Sequence, residues 1–160
     1  MSEERNFQLL LDRDVVKFTL QGVPDRPGIA AEIFTILSSA GINVELVIQT
    51  ASYADVAEIS LVIKDEFVFA AEQQLQNLCP DMCARGFYRD DGIGLITLSR
   101  KNIFKMPGIA ARLFRVIANL SINIELISTS FDCLTCCIRE TELSKAYQAL
   151  VEEFDITQIH

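Results

Sequence analysis

PGIAAEIFTILSSAGINVEL at Pro27–Leu46 returns as PGIAARLFRVIANLSINIEL at Pro107–Leu126, eighty positions later in a chain of 160 residues. Ten of the twenty positions are identical, and four of the mismatches only exchange Ile, Leu and Val. Average amino-acid usage gives roughly one or two identities by chance over such a window. The chain is a tandem duplication, so each copy is an internal control for the other. What both copies keep is scaffold; what only one keeps is a candidate for function.

Upstream of the repeated segment, Val16, Phe18 and Leu20 alternate with polar residues in DVVKFTLQG, the period of a strand. VPDRPG breaks that strand, and Pro27 is expected at the first helical position, where a missing N–H costs nothing. Ile29, Ile33, Ile36, Leu37 and Ala40 keep helical spacing, with Gly41 as a left-handed stop. INVELVIQT and VAEISLVIK read as strands, DEFVFAAEQQLQNL as a helix with an apolar stripe, and MCARGFYRD as a closing strand. The second copy repeats the order through GIGLITLS, PGIAARLFRVIANL, INIELISTS, LTCCIR, TELSKAYQALVEEF and DITQIH. Each half is therefore β-α-β-β-α-β, an α+β ferredoxin-like unit whose antiparallel sheet carries two helices on one face. The expected domains are 12–90 and 91–160. One element is left over: Phe7, Leu9 and Leu11 alternate in FQLLL, making a ninth strand where two copies need eight. The surplus predicts interlaced halves, with segment 1–11 completing the sheet of the second domain.

Net charge is −8 without a long basic cluster, so a phosphate-backbone partner would be repelled and no nucleic acid is expected. MSEERNF lacks the basic start and apolar run of a signal peptide, and no stretch approaches the roughly 18–20 apolar residues of a membrane span. A cytoplasmic protein without membrane contact is expected. Five cysteines, an odd number, fit a reducing compartment better than a disulfide framework. Cys133-x-x-Cys136 lies in an alternating strand that turns its two sulfurs to opposite faces, and the single His160 is terminal. The cysteines are expected to act as small buried hydrophobes, with no metal and no cofactor. No Ser/His/Asp or Cys/His constellation and no phosphate loop is present, so the chain is not expected to be an enzyme.

The chemistry concentrates in VPDRPGIAA. As plain structure, it is a strand-to-helix turn that uses Pro and Gly for their backbone properties. As a site, Gly28, Ile29 and Ala30 offer N–H groups at a helix N-terminus, where a carboxylate binds, and Asp25 beside them can hold an ammonium group. Together these are the minimum receptor for a free amino acid. Asn43, at the start of the next strand, and Gln49, further along it, can add amide groups. The duplicate separates the readings: Pro107, Gly108 and Asn123 are kept, but Asp25 becomes Lys105, Arg26 becomes Met106 and Gln49 becomes Thr129. Gly41 also becomes Ser121, which tolerates a left-handed stop less well, by about 1 kcal/mol. The first copy is expected to bind ligand and the second to be its partner wall.

GVPDRPGIAAEIFTILSSAGINVELVIQT followed by EISLVI resembles the first ACT domain of aspartokinase regulatory regions. MPGIAARLFRVIANLSINIELISTS followed by LTCCIRETELSKAYQALVEEF resembles the second, and the two distinct flavours stand in the same order. The resemblance runs from about Asp12 to Asp155. It implies a regulatory protein that senses an aspartate-pathway end product, lysine or threonine, and acts on a kinase. It further implies effector contacts at Asp25, Gly28, Ala30, Asn43 and Gln49, with Asn123 and Ile124 contributed by a facing second-type domain across a homodimer. SRKNIFKMPG lacks the glycine-rich run and His-Pro-Gly of the second aspartokinase ACT domain, so no effector site is carried over to that loop. Without a kinase domain, the chain has the shape expected of a separately made regulatory subunit. A freestanding ACT dimerisation or sensor protein for a different ligand is the alternative.

Overall fold

The structure, a computed structural model, describes residues 6–51 and 55–156. The chain folds as two units. One is Asp14–Asp91, here the first unit; the other, the second unit, joins Met1–Arg13 to Gly92–His160. The fold of each follows from the two periods read above.

In the first unit β2 (Val15–Pro24) is central, antiparallel to both β4 (Val56–Lys64) and β5 (Gly86–Asp90). With β3 (Val44–Ala51) on the far side of β4, the strand order is β3-β4-β2-β5. Val16, Phe18 and Leu20 of β2 and Ile59, Leu61 and Ile63 of β4 share one face, since directly paired residues point the same way. That face packs on α1 (Ile29–Ser39) and α2 (Val68–Asp81) through Ile33, Leu37, Ala71 and Leu75, all buried. The polar alternates of β2 are not solvated as a two-period strand would suggest. Lys17 and Thr19 are buried as well, and both are satisfied. Lys17 pairs with Asp90 at 3.4 Å, and the Thr19 hydroxyl lies 3.1 Å from that of Ser60. Burial without such partners would be costly.

The second unit repeats the plan with β6 (Ile93–Ser99), α3 (Ile109–Asn119), β7 (Leu126–Thr129), β8 (Cys133–Arg139) and α4 (Leu143–Glu153). Its strand order is β1-β6-β8-β7, so the N-terminal strand β1 (Gln8–Asp12) lies beside β6, as β5 lies beside β2 in the first unit. Leu9 opposes Leu98 and Leu11 opposes Ile96; Leu9 joins the core, while Phe7 packs on Phe154 at 5.0 Å. The interlacing expected from the surplus strand is thus seen. The further strand read at DITQIH falls mainly on residues outside the described ones, and its first two residues, Asp155 and Ile156, are not strand. Gly94 of β6 faces α4: a Cβ there would run into Leu143 and come within 3.0 Å of the Asp12 carbonyl oxygen. Among the described residues no helix is long and apolar enough to cross a membrane.

Candidate functional site

The turn between β2 and α1 is shaped by glycine. Gly22 (φ 61°) sits in a register break between Leu20 and Val23, which kinks the end of β2. After Pro24 the Asp25 N–H donates to the Asp55 carbonyl at 2.9 Å, tying the turn to the loop before β4. Gly28 adopts φ 93° and caps α1, so the helix begins at Ile29 and Pro27 precedes the cap. The placement of Pro27 at the first helical position is corrected accordingly: a left-handed cap needs the residue without a Cβ, which shifts the helix start by two.

The cap also redistributes the N–H groups. Ile29 donates to the Arg26 carbonyl at 3.3 Å, so it is not the free donor expected from sequence. The N–H groups of Ala30 and Ala31 lack a backbone acceptor among the described residues, as in the first turn of any helix. Asp25, Gly28 and Ala30 are exposed, and Ile29 turns its side chain into the core. The Arg26 guanidinium, noted from sequence only as a position that differs between the copies, holds Glu32 in a two-pronged pair at 2.7 and 2.9 Å across this first turn. The hydrogen bond to Arg26 lowers the Glu32 carboxyl below its ordinary range. A Glu six residues after an Arg across a Pro-Gly turn was the available signal.

The remaining candidates divide by position. β2 and β3 are both antiparallel to β4, so the end of β3 lies level with the Asp25 turn. Gln49 is near that end, exposed, and opposite Ile59, on the helix-bearing face. Asn43 precedes β3 and lies at the other end of α1, which over its eleven residues is about 16 Å long. The crossover helix carries the chain back down the sheet, and that separates Asn43 from the turn. Its amide donates instead to Glu45 at 3.4 Å, beside a groove of about 590 Å³ whose lining includes Phe34, Thr35, Ser38, Ser39 and Ile42. In the second unit Asn123 is exposed at the matching end of α3, while the Ile124 side chain packs on that unit's core.

The duplicate keeps this backbone and changes its chemistry. Gly108 caps α3 with φ 91°, and Arg112 N–H donates to the Gly108 carbonyl at 2.9 Å, as Glu32 N–H does to Gly28 at 3.0 Å. Where the first unit has Asp25, a short 3-10 turn ends on Lys105, whose ammonium lies 5.5 Å from the Phe104 ring. Arg112, at the position of Glu32, pairs with Glu153 at 2.7 Å instead of crossing the turn.

None of the five cysteines is in a disulfide. Leu134, Cys136 and Ile138 of β8 enter the core, whereas Cys133 is half-buried beside the Ser130 hydroxyl at 3.0 Å. Burial pushes the Cys136 thiol up to about 12, with neighbouring Cys137 adding to it. Cys79 is buried too, but Cys83 is exposed at a left-handed position after α2 (φ 60°), a correction to the expectation of five buried sulfurs. Among the described residues no group of three or more His, Cys, Asp or Glu is placed to hold a metal.

Comparison with known proteins agrees with this fold. Residues 18–79 match the ACT domain, and residues 96–154 match a second ACT domain pattern. An aspartate kinase of Pseudomonas fluorescens is 32% identical over 148 residues, covering 92% of this chain and 36% of the kinase. The chain thus spans about a third of the length of that relative. The regulatory subunit of aspartate kinase from Thermus thermophilus, in ligand-free form, superposes with a TM-score of 0.86 at 26% identity, covering 91% of this chain and 96% of that one. A structure of aspartokinase alpha and beta subunits gives 0.85 at 25% identity, with 92% and 97% covered. The chain belongs to the ACT domain family and is built of two ACT domains in tandem.

Proposed function

We propose that the chain is a regulatory protein of the aspartokinase type, whose first unit binds a free amino acid at the Asp25 turn. The observation that carries this reading is the contrast at matched positions. Two turns share one backbone, capped by Gly28 and Gly108, yet one carries Asp25 and the other Lys105. Conservation of backbone with reversal of charge is what a site grafted on one of two duplicated scaffolds leaves behind. The ligand carboxylate meets the N–H groups of Gly28 and Ala30, its ammonium meets Asp25, and Gln49 lines the side-chain end. Asn123 and Ile124 close the site from a second copy, with which the chain pairs through its ACT domains. Asn43, at the far end of α1, takes no part in that contact set.

Lysine or threonine is the effector this reading favours, and a separately made kinase subunit is the target. Its support is the likeness to a regulatory subunit that the chain matches over almost its whole length. Regulation then needs an effector that favours one arrangement of the assembly by a coupling of about 1–3 kcal/mol. A ligand that bridges two copies supplies it, because its contacts exist in only one arrangement.

Thermal unfolding in the presence of each of the twenty amino acids tests the proposal. One or two of them should raise the melting temperature by mass action. Asp25→Lys, which writes the second copy's residue into the first, should abolish the rise. A shift unchanged in Asp25→Lys would refute the site, and no response to any amino acid would favour a freestanding dimerisation or sensor protein for another ligand.

A further inference from the structure

Position 32 and its duplicate, position 112, each carry a charged side chain that ties its helix to another part of its unit. The partners differ. Arg112 ties α3 to the end of α4, donating to the Glu153 carboxylate at 2.7 Å and to the Glu153 carbonyl at 2.8 Å. Glu32 ties α1 back to the turn before it, accepting from both arms of the Arg26 guanidinium. Met106 stands at the position of Arg26 and has no charge to offer, so this tie belongs to the first unit.

The two turns are also held differently along the backbone. In the second unit Ile103–Lys105 form a 3-10 turn, where the Lys105 N–H donates to the Asn102 carbonyl and the Met106 N–H to the Ile103 carbonyl, both at 3.0 Å. The Asn102 N–H donates to the Asp132 carboxylate at 2.6 Å. That turn holds itself. Between β2 and α1, where every residue is described, the first unit has no 3-10 turn. Its bonds converge on Arg26 instead. The Arg26 N–H donates to the Pro24 carbonyl at 3.0 Å, the Arg26 carbonyl accepts from the Ile29 N–H at 3.3 Å, and the side chain holds Glu32. An arginine fork on a carboxylate sets both distance and plane. With Arg26 held at its N–H, its carbonyl and its side chain, the direction of Asp25 beside it is set as well.

We infer that the Arg26–Glu32 pair is the clamp that positions the amino-acid site, holding Asp25 and the Gly28 cap in their binding arrangement before a ligand arrives. Arg26 and Glu32 are positioning residues, acting through Asp25 and the helix start without touching the ligand. The clamp presupposes the site proposed at the Asp25 turn and deepens it. Its effect on affinity is preorganisation: order already present in the free protein need not be created on binding. The second unit carries Lys105 in place of Asp25 and has no such group to position, and its Arg112 serves α4.

Titration calorimetry of the full chain against each of the twenty amino acids tests the clamp, together with amide hydrogen exchange of the ligand-free turn. Arg26 and Glu32 are 47% and 43% exposed, so changes there leave the core intact. Arg26→Met, which writes in the second copy's residue, and Glu32→Gln should each weaken binding about three- to fivefold, the contribution of a well-formed surface pair. Exchange at the amides between residues 25 and 30 should quicken in both. The double variant should bind no worse than either single, because one pair is lost in each case. Arg26→Glu/Glu32→Arg, which rebuilds the pair with its poles exchanged, should recover most of the affinity and the protection. Failure of that swap, with both singles weak, would place Arg26 on the ligand and overturn the clamp. Singles that bind and exchange like wild type overturn it too, while leaving the Asp25 site standing. A wild type that binds no amino acid removes the site and the clamp together.

Discussion

At the scale of single residues, Cys136 shows how a group of no evident chemistry still shapes the behaviour of the protein. Its sulfur lies in the apolar core of the second unit, where burial disfavours the thiolate and pushes the thiol up to about 12. The folded protein therefore keeps a proton that the unfolded chain releases near the ordinary thiol range. The contribution is intact below about pH 9 and is lost as pH rises from there toward about 12. Denaturant midpoints measured through this alkaline window should fall more steeply for wild type than for Cys136→Val, which has nothing to ionise. Parallel curves for the two proteins would show that Cys136 titrates alike in both states. The alternation of FDCLTCCIRE puts Cys136 on one face with Leu134 and Ile138, and the structure shows that this face is the core. It said nothing of Cys83, because an exposed left-handed position after a helix depends on how that helix is stopped, and no periodicity reports it.

At the scale of elements, the ends of helices are where sequence and structure are most informatively compared. After α1 the Gly41 N–H donates to the Ser38 carbonyl at 2.9 Å and the Ile42 N–H to the Leu37 carbonyl at 2.9 Å, the Schellman closure with Ile42 folded onto the core. After α3 the same two bonds recur at 2.9 and 3.2 Å, but Ser121 occupies the left-handed position with φ 58°, against 73° for Gly41. Ser121→Gly should stabilise the second unit by about 1 kcal/mol, and Gly41→Ser should cost the first unit about as much. Chemical denaturation of both variants checks this, and equal midpoints for Ser121→Gly and wild type would contradict it. This stop was legible because a Gly in one copy marked the conformation that the other copy must reach without one. The start of α1 was less so. Pro27 and Gly28 are both helix-start residues by type, and only the observed φ of 93° at Gly28 shows which one turns the chain. The site inherits that difference: the donor expected at Ile29 is taken by Arg26, and the crossover helix carries Asn43 away from Asp25 while leaving Gln49 level with it. Residue types pointed to the candidates, but helix length and strand direction decided which of them lie level with the Asp25 turn.

At the scale of the whole molecule, the duplication is symmetric in elements and asymmetric in connectivity. The first unit draws all four of its strands from one continuous segment, Asp14–Asp91. The second draws one strand from the other end of the chain: without β1, β6 would present an unpaired edge and the core would lose Leu9. An open edge of this kind favours wrong pairing, and unfilled core volume adds to the cost. The 160-residue sequence announced the surplus strand, and the pairing of Leu9 with Leu98 and Leu11 with Ile96 shows what it completes. The two halves should therefore behave differently when separated. A fragment of residues 14–91 should show a cooperative thermal transition by circular dichroism and dispersed amide resonances. A fragment of residues 92–160 should lack both, and should gain them when residues 1–13 are joined to its N-terminus through a flexible linker. The linked form is the second unit in its own chain order with the first unit excised, so that β1 reaches β6 without the first unit in between. Equal cooperativity for 92–160 with and without that strand would mean that β1 is an ornament of the sheet. Recovery only with the strand would make β1 part of the second domain's fold, however far it stands from β6 in sequence.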